Sequence, residues 1–164
     1  MGRPPDSSFC CPVGWCGEFS CFPPGNDRHP MGGEQALYAM IVVGLGWQKA
    51  ALLSHAREAV SRSLHSIGIK VPDYIAVPAF KRGDALPQEV ACMWGVGVLW
   101  VEEVDLQQMQ PFCQTFSATV GSHVGVASVA EACALAGAGD GAHLRLPRQV
   151  FCGVTCAVAE GEKK

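Results

Sequence analysis

Gly44-Leu45-Gly46, Trp47 and Lys49 follow one another where an apolar run ends and a helical pattern is about to begin. Glycines and a cation in that position are the parts of an anion-receiving turn. Backbone amides can approach an anion where side chains are absent, and Lys49 adds a point charge to the donors of the helix N-terminus. The dinucleotide fingerprint that opens the same way is incomplete here. Ala50 supplies no glycine, and Asp73 sits at the beginning of the second strand instead of closing it. The turn therefore reads as an anion-receptive turn or as a packing turn, with a nucleotide-binding α/β domain as an alternative. Lys81 follows the second apolar run, and Arg145 and Arg148 lie near the C-terminal end. If these cations converge near Lys49 they form a rim for carboxylates.

Other chemistry is suggested by residue type and excluded by spacing. Gly121-Ser122-His123-Val124-Gly125 has its serine in the second position and no strand before it, so it is not a nucleophile elbow. His55 and His65 are ten residues apart on one helical pattern and cannot share a metal, and His143 begins a strand. Cys10, Cys11, Cys16 and Cys21 lack the two closely spaced pairs of a zinc site. Neither a metal nor a cofactor is expected. Cys92, Cys113, Cys133, Cys152 and Cys156 fall in apolar stretches, where free, reduced cysteines serve as small buried hydrophobes.

The elements that must position these residues follow from periodicity. Ile41 to Leu45 is a continuous apolar run, the pattern of a strand buried on both faces. Leu53, Ala56, Val60, Leu64 and Ile67 then mark a helix stopped by Gly68. Tyr74 to Val77 reads as a strand ending at Pro78. A helix capped by Asp84 follows, with Leu86, Val90 and Met93 inward and Gly95 past its end. Val96 to Val101 is a third strand, followed by a short acidic helix from Glu102 to about Met109. Residues 110 to 127 show no sustained period and read as a loop or broken helix. Ser128 and Glu131 have the spacing of a reciprocal capping box, opening a helix through Leu135 that Gly137 and Gly139 end. His143 to Leu146 and Val154 to Val158 are two closing strands with Pro147 between them. Strands alternating with helices, and a final pair joined without one, predict a three-layer α/β/α sandwich around a mixed, about five-stranded sheet.

Of 164 residues, 49% are apolar and 16% charged, and the formal net charge is -3. A disordered chain is excluded by that balance, and no basic surplus exists to neutralise nucleic acid. No apolar stretch reaches the roughly 18 to 20 residues a membrane helix needs, and the first residues lack the pattern of a secretory signal. The expected location is cytoplasmic. Residues 1–39 carry six of the eleven prolines and four of the nine cysteines. They are expected to be a disordered or mis-assigned extension, with Met31 and Met40 as alternative starts. Residues 40–160 form the domain, and 161–164 a charged tail.

Taken together, Val42-Val43-Gly44-Leu45-Gly46, Lys81, the stretch from Gly125 to Leu135, Pro147-Arg148-Gln149 and Gly153-Val154-Thr155 resemble the CobE and CbiG C-terminal family of cobalamin biosynthesis. Order and spacing match from Ile41 to Ala159, most closely between Gly125 and Leu135. Two departures stand out: Trp47-Gln48-Lys49-Ala50 replaces a usual arginine step followed by glycine, and Ala118 replaces a proline. The resemblance implies a stand-alone CobE-like protein that binds a precorrin or corrin intermediate and assists its processing or transfer. The alternative it implies is a cobalt-precorrin-5A hydrolase component, opening a lactone with acetaldehyde release alongside a separate N-terminal partner. A flat apolar macrocycle fringed with carboxylates needs an apolar cleft edged by cations and backbone donors, which an open α/β sheet offers beyond its carboxyl ends. The expected substrate-binding residues are Gly44, Gly46, Trp47, Lys49, Lys81, Thr115, Ser117, Ser128 and Glu131, with Trp47 either stacked on the ring or buried. Other enzymes of the pathway are the expected protein partners.

Overall fold

The structure is a computed structural model that describes residues 39–115 and 128–162. Residues 1–38 of the expected N-terminal extension, with its four cysteines, Ser117 and the Gly121 to Gly125 stretch lie outside the described residues, whereas Ala39 already belongs to the first strand. Five strands form one sheet: β1 (Ala39–Trp47), β2 (Tyr74–Pro78), β3 (Gly97–Val101), β4 (His143–Phe151) and β5 (Val154–Glu162), in the spatial order β3-β2-β1-β5-β4. β1, β2 and β3 are parallel, and β5 runs antiparallel to both β1 and β4. The carboxyl ends of β1 to β4 therefore share one edge of the sheet.

Alternation along β1 decides which layer each residue serves. Val43, Leu45 and Trp47 face a core with α1 (Leu53–Ser66) and α2 (Leu86–Trp94), while Val42 faces a second core with α3 (Glu103–Gln108) and α4 (Val129–Ala138). This is the three-layer sandwich with a mixed sheet that the sequence predicts. Each crossover from β1 to β2 and from β2 to β3 carries a helix on the same face, as a right-handed connection requires. The chain then returns along the other face to reach β4 at the far edge.

α4 is built to sit close. Its sequence, VAEACALAGA, offers alanine and glycine to the sheet, and a Cβ on Gly44 would lie 1.9 Å from the Ala130 carbonyl oxygen. Near the other end of the helix, a Cβ on Gly161 would lie 2.1 Å from the Ala138 carbonyl oxygen. Two backbones approach here to a distance only glycine permits.

Several local expectations are corrected by tertiary contacts. Gly44 and Gly46 are interior residues of β1, not turn residues, because β1 continues to Trp47. Asp84 does not cap α2: Ala85 occupies that position, and the Asp84 carboxylate accepts instead from the Trp47 indole. Met93 is exposed, whereas Leu86 and Val90 pack inward. Gly137 lies within α4, which continues to Ala138 before Gly139 caps it. Pro147 is not between strands but inside β4, at an irregularity of the edge strand where no ladder donor is required. The real turn is Cys152-Gly153, with φ of 45° and 77°, the paired left-handed residues of a two-residue hairpin. Cys92 and Cys152 are exposed, unlike the buried Cys133 and Cys156. β5 runs to Glu162, pairing Gly161 and Glu162 with Met40 and Ala39.

Candidate functional site

Topology brings most of the expected site residues to the carboxyl edge of the sheet. Trp47 ends β1, with Lys49 exposed two residues on, and Lys81 closes the short 3-10 turn that follows β2. Ser128 precedes the first turn of α4, whose start lies near Gly46. The chain leaves the described residues at Thr115 and re-enters at Ser128, both beside Glu131.

On the α1 side of this edge, Trp47, Lys81 and Asp84 form one cluster. The Lys81 ammonium donates to the Trp47 carbonyl and stands 4.4 Å above the indole ring, a cation-π contact. The indole Nε1 donates to Asp84 Oδ2 at 3.0 Å. Burial lowers the Lys81 pKa below the ordinary lysine value, and the Asp84 charge offsets part of that shift. Trp47 is buried against the core, so of its two expected roles the structure displays packing, with one ring face covered by Lys81. Next along the edge, Arg82 pairs with Glu102 at 2.9 Å. Beyond β1, β2 and β3 stand three exposed apolar side chains: Leu52 (58% exposed), Phe80 (52%) and Val104 (64%).

On the α4 side the organising group is Glu131, fully buried in the first turn of that helix. Its Oε2 accepts from the backbone amides of Gln114 (2.7 Å) and Thr115 (3.1 Å), and its Oε1 from Thr115 Oγ1 (2.8 Å) and the amide of Arg148 (2.8 Å). The reciprocal capping box is therefore half formed. Ser128 Oγ accepts from the Glu131 amide at 3.5 Å, but the Glu131 side chain serves three other residues instead of returning to Ser128. Four donors satisfy a buried carboxylate that, among the described residues, no cation pairs with. The neighbouring Cys113 thiol is pushed up to about 11 by burial and by the Glu131 charge.

This geometry redistributes the expected roles. Gly44 faces α4, its open side filled by the Ala130 carbonyl, and a Cβ on Gly46 would meet Thr155 Oγ1 at 2.6 Å. Thr115 has one hydroxyl proton and gives it to Glu131, which leaves acceptor lone pairs only. Arg145 does not approach Lys49: it pairs with Glu160 at 2.9 Å, toward the opposite end of β5. Asp73 closes the β1–β2 start, accepting from the Ile41 amide at 2.8 Å while its own amide donates to the Ile41 carbonyl. Sequence spacing alone could not reveal the Glu131 network, because its donors lie 16 and 17 residues away on either side. Among the described residues no group of three or more metal-ligating side chains is brought together, and no helix is long and apolar enough to cross a membrane.

An α/β/α domain with a mixed sheet, presenting lysines and apolar side chains beyond its strand ends, is a class shared by many binding proteins and enzymes. Here the class narrows, because residues 41–159 match the family described as Cobalamin synthesis G C-terminus, and the chain belongs to that family. It is a cobalamin biosynthesis protein of the CobE/CbiG group. None of the curated proteins matches it. Solved structures do. The cobalamin biosynthesis protein chiG from Agrobacterium tumefaciens is 32% identical, with 76% of this chain and 100% of that one covered at a TM-score of 0.60. CobE, a protein from the cobalamin (vitamin B12) biosynthetic pathway, shares the fold at a TM-score of 0.73 and 24% identity, covering 78% and 98%. A putative cobalamin biosynthesis protein G homolog from Sulfolobus solfataricus is 25% identical at a TM-score of 0.58, and there the match covers 75% of this chain but 37% of the longer relative.

Proposed function

We propose that the chain binds a precorrin or corrin intermediate across the carboxyl edge of its sheet and assists its processing or transfer. The observation that carries this reading is the edge itself, where exposed Leu52, Phe80 and Val104 accompany Lys49 and Lys81 beyond three parallel strands. A corrinoid precursor presents a flat apolar ring and a fringe of carboxylates. Apolar contact area answers the first and positive charge the second. Membership of a cobalamin synthesis family supports the ligand class. A nucleotide lacks support, since the glycines that would cradle a phosphate are occupied by α4 and Thr155. Enzymes that make or consume the same intermediate are the partners this role calls for.

Calorimetric titration with hydrogenobyrinic acid, and separately with ATP, tests the proposal. Saturable corrinoid binding without turnover supports it. Failure to bind the corrinoid, or binding of nucleotide alone, overturns it, and acetaldehyde release from cobalt-precorrin-5A would assign the chain to lactone hydrolysis instead.

A further inference from the structure

We propose that Arg148 is a carboxylate-binding residue of this site and that Glu131 is its positioning residue; the inference rests on the corrinoid reading above. β4 pairs Leu146 with Val158 and Gln149 with Cys156, so three steps along β4 match two along β5. Pro147 and Arg148 therefore stand together opposite Ala157, as in a β-bulge. A bulge breaks the ladder and re-aims a side chain, and bulges concentrate beside functional sites.

The structure shows what holds this one. The Arg148 amide, left without a ladder partner by the extra residue, donates to Glu131 Oε1 at 2.8 Å. A buried carboxylate from the first turn of α4 thus fixes the backbone of one arginine on the edge strand. The same carboxylate fixes Gln114 and Thr115, so three segments meet at one group. Arg148 is a half-buried residue, and among the described residues its guanidinium makes none of the ion pairs that engage Arg62, Arg82 and Arg145. A fixed backbone with a free planar fork is the arrangement that recognises a carboxylate through two parallel hydrogen bonds. Thr115, which has given its proton to Glu131, cannot supply that donor.

The test compares two probes with the same ring and different fringes, dicyanocobyrinic acid with its carboxylates and dicyanocobinamide with amides, by fluorescence or calorimetric titration of the full chain. The wild-type protein is expected to prefer the carboxylate form. Arg148→Ala should weaken cobyrinic acid binding about tenfold or more and reduce its salt dependence, while cobinamide binding changes little. Arg148→Lys should restore charge attraction without the full preference. Glu131→Gln should lower the same selectivity ratio with Arg148 still present, which a purely structural role would not do. If Glu131→Gln fails to fold, Arg148→Ala on the strand edge still decides the matter. An unchanged ratio in Arg148→Ala overturns the assignment while leaving the corrinoid reading intact. A wild-type protein that binds neither probe overturns both.

Discussion

Replacing Glu131 by glutamine removes a charge and one acceptor from the best-defined polar centre of the molecule, and the geometry says which hydrogen bond is lost. If the amide nitrogen took the place of Oε2, it would face two backbone donors, those of Gln114 and Thr115. In the place of Oε1 it faces the Thr115 hydroxyl, which can rotate to accept, and the Arg148 amide, which cannot. The second orientation is the cheaper one: it orphans one backbone amide, that of Arg148, where the first would orphan two. One buried unsatisfied amide costs about 1–3 kcal/mol, and the remaining bonds lose their charge assistance, so a destabilisation of about 2–4 kcal/mol is expected. At about 2–4 °C per kcal/mol for a chain of this size, Tm should fall by about 5–15 °C. Thermal unfolding followed by circular dichroism gives the magnitude. Amide hydrogen exchange gives the location: protection should fall most at Arg148 and less at Gln114 and Thr115. A variant with unchanged Tm and unchanged exchange at Arg148 would refute the reasoning, since the carboxylate would then not be holding the bulge.

Gly44→Ala should destabilise by about 3 kcal/mol or more, because the new methyl meets the Ala130 carbonyl at 1.9 Å and α4 must move; urea unfolding checks this. Lys81 has a lowered pKa in the folded state, so the unfolded chain binds the extra proton between that value and the ordinary 10.5. Stability contributed at this site therefore rises with pH through that window, and the rise should vanish in Lys81→Met when unfolding is measured from pH 8 to 10.5. Among the cysteines of the described residues, thiol labelling at pH 8, resolved by peptide mass mapping, should modify Cys92 and Cys152 first and Cys113 more slowly. Cys133 and Cys156 should react only on unfolding: both are buried, burial raises the Cys133 pKa strongly, and Cys156 is pushed up to about 12.

Much of the fold was legible because its signals are periodic and local. The apolar alternation from Leu53 to Ile67 marked α1 over its observed range, and the uninterrupted run from Ile41 announced a strand covered on both faces. The absence of a helix between the last two strands correctly implied a mixed sheet. Errors fell where a long-range partner outbid a local one. Asp84 sits where a cap belongs, yet the Trp47 indole 37 residues away takes its carboxylate. Pro147 looked like a turn because proline usually interrupts strands, but on an edge strand its missing donor is not needed.

By itself the sequence determined the order and type of the elements, the covering of the sheet on both faces and the family, since each depends on residue types at fixed spacing. Only the tertiary structure decided which groups meet. A carboxylate on α4 found its donors at residues 114, 115 and 148, and a lysine after β2 settled on a tryptophan at the end of β1. Hydrogen bonds and ion contacts act over about 3–5 Å in space whatever the separation along the chain. Their partners are fixed by how the layers close, and that is the step no window of sequence contains.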